Sequence, residues 1–521
     1  MTGRLSRRQF LSGSAAVAAG AYLSSCAPVA QSGLQTAPGK RLTLSWWTDT
    51  GFPSPFTFSN LGPGGIVKES MLFDSLLWKD RNGLISWLAK SWEVADGGRT
   101  VIFRLNDAAW HDSKPFGAED VAFTFSYLDR HPFAWADTSS VESATVMDSR
   151  TVSVRLKQPF APFLHDVGGV LPILPKHIWS TVTDPLKFGG PEATVGTGPF
   201  TFSQYAEGEG AYLFKSNAHF FRGRPAFQEL AYAMVPENQQ PVALANGQID
   251  SAMSTHYDVQ AQFQAGRYRV LKTPPFSIVR LVFNSNRPPF NQLAFRQAVA
   301  HAIDRRQLAE RVIHGDVIVG NDGVIPPGSP WHNSTVTQHP YDQARARSLL
   351  DSVGFDRSTS IQLLADTGAT DAEVVQSMLA QVGIKVEVVS ADPKTRTARL
   401  KALDYQVGLL KHIGVGGDPD FLRRWYTGQA FNAFELGNVI HRPDFLQLAK
   451  QQSQETESSR RHSLVDRMQA ILAEDLPTLP LYHQRFYLIY RPGAWNRWFN
   501  TWSGIMSGIP LNDNKLALLL G

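Results

Sequence analysis

Serine, histidine and carboxylate residues are plentiful in this 521-residue chain, but their spacing assembles no recognised catalytic set. No serine has glycine both two residues before and two residues after it, so the nucleophile elbow of a hydrolase is missing. His-Glu-x-x-His, the calcium-binding loop and the glycine-rich phosphate loop are also missing. The fourteen histidines are scattered, and His111-Asp112, Trp331-His332 and His412 stand alone rather than at ligand spacing. A single cysteine, Cys26, cannot form a thiolate zinc site or an intrachain disulfide. The chemistry that remains is non-covalent: no enzyme, metal or cofactor is expected. Trp46, Trp47, Trp425 and Tyr426 are candidates for stacking against a small molecule. Next to the second pair lies the loop His412-Ile413-Gly414-Val415-Gly416-Gly417-Asp418-Pro419-Asp420, whose three glycines permit close backbone approach. A plain turn is an equally good reading of that loop on its own.

The elements that must position these residues are most legible between 277 and 484. One helical face runs through Phe295, Val299, Ala302, Ile303, Ala309, Val312 and Ile313, predicting a single helix over 295–313 that Gly315 stops. A helix over 342–353, strand 361–365, helix 371–381, strand 384–389, helix 395–403 and strand 405–410 follow. Strands alternating with helices predict a parallel α/β lobe, with ligand beyond the carboxyl ends of its strands. Earlier in the chain, 42–47, 99–105 and 150–156 read as strands and 119–130 as a helix.

The amino terminus carries a different message. Arg7-Arg8 precedes Phe10-Leu11, a short apolar stretch reaches Leu23, and Leu23-Ser24-Ser25-Cys26 closes it. This layout is that of a secretion signal, here with a twin-arginine pair, and the run is too short for a spanning helix of roughly 20 apolar residues. The box before Cys26 resembles a lipoprotein cleavage site, so the thiol is expected to carry the lipid. Residues 27–39 then form a flexible tether reaching about 45 Å at most. Losing Arg4, Arg7 and Arg8 with the leader takes the formal charge from +4 to +1. With no basic run elsewhere, nucleic acid is not an expected partner.

Ordered blocks along the remaining chain resemble the extracytoplasmic solute-binding proteins of dipeptide/oligopeptide-type ABC importers, family 5. They include Leu88-Ala89-Lys90-Ser91-Trp92-Glu93, Trp110-His111-Asp112, Gly196-Thr197-Gly198-Pro199-Phe200, Ala245-Asn246-Gly247-Gln248-Ile249-Asp250, Phe283-Asn284, Ala302-Ile303-Asp304-Arg305 and Pro480-Leu481-Tyr482. The resemblance implies an α/β, two-lobed, periplasmic-binding-protein-like fold (type II, with an extra subdomain) and a hinged cleft. Domain I would comprise 40–72, 193–276 and 485–521, domain II 73–192, and the second lobe 277–484. It further implies a monomer that captures a small peptide or other small polar solute and delivers it to membrane permease subunits. The site residues would be Trp46, Trp47, Phe283, Asn284, His412, Val415, Asp418 and Trp425. In peptide-binding members the first acid of the glycine loop pairs with the peptide's amine; aligned on Asp418-Pro419, that position here is Val415. An isopropyl group cannot neutralise a buried ammonium, which opens the alternative of an oligosaccharide or another non-peptide solute.

Overall fold

A computed structural model of the chain describes residues 40–45, 51–58, 63–255, 263, 267–314, 316–415, 417–428, 439–501, 504 and 514–520. Arg7, Arg8, Cys26, Trp46 and Trp47 lie outside these residues. Among the described residues no helix is long and apolar enough to cross a membrane.

Two large sheets organise the chain into two lobes. The first is seven-stranded, in the order 269–272, 487–490, 251–254, 41–45, 229–233, 211–216 and 200–206. Strand Arg41–Ser45 runs parallel to Glu229–Ala233 and Ser251–Ser254, and the remaining pairs are antiparallel. Residues 89–156 add a four-stranded antiparallel sheet, in the order 89–95, 100–105, 151–156 and 141–148, with helix Ala118–Arg130 packed against it. Both sheets contribute to one apolar cluster, from Leu42 and Leu44 through Phe103 and Val154 to Leu518.

The block Gly196-Thr197-Gly198-Pro199-Phe200 is scaffold. A Cβ on Gly196 or Gly198 would collide with the backbone carbonyls of Met71 and Leu72. Glycine is needed here for close approach rather than for a left-handed φ. Thr197 Oγ1 donates to Asp74 (2.8 Å), whose carboxylate also accepts from Trp87 Nε1 (2.6 Å) and pairs with the Lys515 ammonium. Asp74 and Lys515 are both buried, and Trp78 and Trp87 face the ammonium at 4.1 and 5.1 Å.

The second lobe is a five-stranded sheet in the order 385–391, 360–366, 407–413, 277–283 and 478–484. Only its first three strands are parallel; Ser277–Phe283 runs antiparallel to both of its neighbours. The expectation of a wholly parallel lobe is therefore corrected. The alternation of strand and helix covers 360–413, but two strands that are distant in sequence complete the sheet. The single helix expected over 295–313 is two, Leu293–Ala302 and Arg305–Ile313. Ile303 adopts an extended conformation, and Asp304 caps the second helix by accepting Gln307 N–H at 3.0 Å. The expected stop, Gly315, lies outside the described residues; His314, at φ 46°, ends the helix.

The chain crosses between the lobes twice, through 273–276 and 485–486. The two crossings are tied together. Phe276 stacks on Phe486 with ring centroids 4.1 Å apart, Thr273 N–H donates to Phe486 O (3.0 Å), and Phe276 N–H donates to Gln484 O (3.1 Å). Two short paired crossings are the geometry of a hinge.

Candidate ligand site between the lobes

Strand register decides what faces the boundary. Ser277 pairs with both Ile413 and Gln484, so the crossings leave the second sheet at the carboxyl end of strand 407–413. Segment 414–420 emerges at that same edge. On the other side Lys272, Ser254 and Tyr487 share one edge, and Ser45 ends its parallel strand in the same direction.

Residues Val407–Leu410 are buried, whereas Lys411–Ile413 reach the surface. His412 is thus the end of a strand rather than part of the loop. Gly414 turns the chain at φ 93°, where a side chain would be strained, and Phe276 O accepts both Gly414 N–H (2.9 Å) and Val415 N–H (3.1 Å). Asp418 then accepts Asp420 N–H (2.9 Å) and leads into helix Phe421–Tyr426. That helix carries Trp425 to within 4.2 Å of His412, ring centroid to centroid. Arg280, fully buried on strand Ser277–Phe283, lies 4.1 Å from the Trp425 ring and donates to Tyr426 Oη at 2.9 Å.

Of the site residues expected from sequence, the structure brings His412 and Trp425 together and places Asp418 beside them. Three others sit elsewhere. Phe283 is buried in the second-lobe core, stacked on Phe290 at 5.1 Å. Asn284 is buried with its amide donating to Leu403 O (3.2 Å) and Tyr405 O (2.9 Å), which fixes a turn. Val415 is buried in the apolar cluster of Ile278, Val324, Phe421, Leu422 and Tyr426. All three are thus buried, two in apolar clusters and one with its amide bonded to the backbone. Asp418 is also committed, since both of its oxygens accept from Arg461 (2.6 and 2.7 Å).

The residues missed by sequence reasoning come from the first lobe. Segment Phe163–Gly168 presents His165 and Asp166 to the second lobe, with His165 Nδ1 2.9 Å from Asp166 Oδ1. Burial works against the Asp166 charge. The His165 hydrogen bond and the charges of His165, Arg424 and Lys79 outweigh it, and its pKa falls to about 2. Lys79, on the short strand Leu77–Lys79, is pushed down to about 8 by burial, against the pull of Asp166 and Asp418. Farther out, Ala161 N–H donates to Ser453 O (2.7 Å), Gln454 Nε2 donates to Gln158 Oε1 (2.7 Å), and Arg423 lies 5.9 Å from the Phe160 ring. The lobes are therefore in contact beyond the crossings as well, through 158–161 and 423–454. No group of three or more metal-ligating side chains exists among the described residues.

Two α/β lobes, two paired crossings and a polar boundary between them define a bilobal solute-binding protein. Residues 83–433 match the family model of bacterial extracellular solute-binding proteins, family 5 middle, and the chain belongs to that family. It is 27% identical over 440 residues to di/tripeptide-binding protein 2 of Pseudomonas aeruginosa (strain UCBPP-PA14), covering 77% of this chain and 81% of that protein. It is 25% identical over 417 residues to the nickel-binding periplasmic protein of Escherichia coli (strain K12), covering 74% and 78%. The crystal structure of the ABC transporter substrate-binding protein CtaP from Listeria monocytogenes superimposes with a TM-score of 0.77 at 22% identity, covering 89% of this chain and 95% of that one.

Proposed function

We propose that this protein is the lipid-anchored, extracytoplasmic substrate-binding component of an ABC importer, taking up a peptide or peptide-like solute between its lobes. The observation that carries this reading is the charged cluster where 73–192 meets 277–484, in a chain whose lobes are joined by two paired crossings. Closing 277–484 onto the rest of the chain would bury a solute there, and the closed form would dock on the permease. A ligand drives such closure only by preferring the closed state to the open one. The relatives named as peptide-binding support the solute class. Arg7-Arg8 and the box ending at Cys26 support twin-arginine export and lipidation of that thiol, with the protein working as a monomer at the outer face of the cell membrane or in the periplasm. The packed aromatic pair His412–Trp425 favours a second reading, an oligosaccharide or other neutral polar solute.

A thermal-shift screen of free-amine peptides, N-acetylated peptides and oligosaccharides tests the function, because a solute that binds only the folded state raises the melting temperature. Stabilisation by at least one solute, recovered chemically unchanged, is expected. Conversion of that solute into a product would defeat the reading in favour of a hydrolase.

A further inference from the structure

Among the described residues the polar groups at the lobe boundary do not close among themselves: a guanidinium nitrogen is left without an acceptor. Four carboxylates gather there: Asp137, Asp166, Asp418 and Asp420. Four cations face them: Lys79, Arg423, Arg424 and Arg461. The formal charges balance before His165 is counted, but the hydrogen bonds do not. Two acids are fully committed. Asp418 is chelated by Arg461, while Asp420 accepts from Arg423 through both oxygens (2.8 and 2.7 Å) and from Gln452 (2.7 Å).

Arg424 is the cation left over. Among the described residues its guanidinium makes no hydrogen bond, and its only carboxylate oxygen within reach is Asp420 Oδ2 at 4.0 Å, already held by Arg423. Its Nε is buried without an acceptor, although the side chain as a whole remains 28% exposed. On the first-lobe side His165 Nε2 is a second buried nitrogen without a partner. A guanidinium offers a planar fork that a carboxylate fills with two parallel hydrogen bonds. Among the described residues of the boundary a free ammonium has no equivalent seat. Val415 is packed in the core, and the Asp166 carboxylate lies in the field of Lys79, Arg424 and Arg461.

We infer that the solute is anchored by a carboxylate received on Arg424, with the His165–Asp166 pair of the first lobe closing over it, rather than by an amine on the glycine loop. The inference rests on the solute-binding reading and adds the polarity of the ligand. A peptide would thus bind through its acidic end, and a sugar acid would satisfy the same fork.

The test uses the full chain and two matched pairs of probes: Ala-Phe with its C-terminal amide, and glucuronate with glucose. Titration calorimetry and thermal shift are run on wild type, Arg424→Gln and Arg424→Lys. Truncating one partner of a desolvated charge pair weakens binding by about 30-fold or more. At least one acid is expected to bind about 30-fold tighter than its neutral partner, with Arg424→Gln abolishing that preference and Arg424→Lys retaining part of it. The melting temperature of each unliganded variant shows that the fold survives. Equal binding of acid and neutral partner overturns the inference while leaving solute binding intact, as does a response to glucose alone. An acid preference that persists in Arg424→Gln removes Arg424 as the anchor. Failure of the solute-binding reading itself would show as no response to any probe, the neutral ones included.

Discussion

The interior of the first lobe and the boundary between the lobes handle buried charge in opposite ways. At the Asp74 carboxylate itself every demand is met internally: Trp87, Thr197 and Lys515 converge on one carboxylate, and two indole faces cover the ammonium. Glu69 Oε2 nearby is nevertheless buried without a partner among the described residues. At the boundary the acids are equally well served, yet nitrogens of Arg424 and His165 are buried with nothing to accept from or donate to them. A protein that must only stay folded completes its polar networks, because each orphan costs about 1–3 kcal/mol. One that must hold a solute leaves part of the network for the solute to finish. The most motif-rich segment, 196–200, belongs to the completed region, so density of family motif marks scaffold here rather than site.

The largest expected effect breaks the completed network. Asp74→Ala strands a fully buried ammonium, and about 3–5 kcal/mol should be lost from the first urea unfolding transition. A loss below about 1 kcal/mol would show that Lys515 finds another partner and that the contrast between the regions is overstated.

An intermediate effect probes another orphan. His483 is buried beside the hinge with Nδ1 3.2 Å from Ser277 O and Nε2 without a partner. Burial, together with the charge of His332, lowers its pKa to about 4, against the pull of the Ser277 hydrogen bond. The unfolded chain, with an ordinary histidine pKa near 6.5, binds the proton first on acidification. Stability should therefore fall as pH drops from about 6.5 to about 4, by up to about 3 kcal/mol in total. His483→Gln should flatten that slope in melting curves across the range; an unchanged slope would assign the acid sensitivity to other groups.

The smallest effect belongs to the contact on the far side of the boundary. Gln454→Ala removes the exposed bond to Gln158, and global stability should change by less than about 0.5 kcal/mol. Because that bond exists only when the lobes meet, affinity for whichever solute binds should fall by less than about fivefold through a weaker closed state. An affinity loss far larger than this would place the controlling contact at 158–161 and 453–456 rather than at Arg424.

Much of the second lobe was legible because local periodicity coincides with tertiary burial between 342 and 413: Asp342 caps its helix as its position suggests, and Leu349 and Leu350 face the core. The helix over 295–313 misled because its apolar face continues through a break set by one capping side chain, Asp304. The site was half legible. His412 and Trp425 stood out as aromatics beside a glycine loop, and the doubled Arg423-Arg424 next to Trp425 was the one overlooked local signal. His165, Asp166 and Lys79 gave none, since each is an ordinary polar residue until a segment some 250 to 340 positions away in sequence folds against it.

Amino-acid order alone determined the export signal reading, the absence of known catalytic spacings, the alternation of strand and helix, and the family. Each of these depends on residues near one another in the chain or on ordered blocks. Tertiary structure alone decided that Val415, Phe283 and Asn284 are buried, that Asp418 belongs to Arg461, and that the Arg424 guanidinium is left without a hydrogen-bond acceptor among the described residues. Those outcomes depend on which partners reach a group first across the fold, and on how much water is excluded when they do.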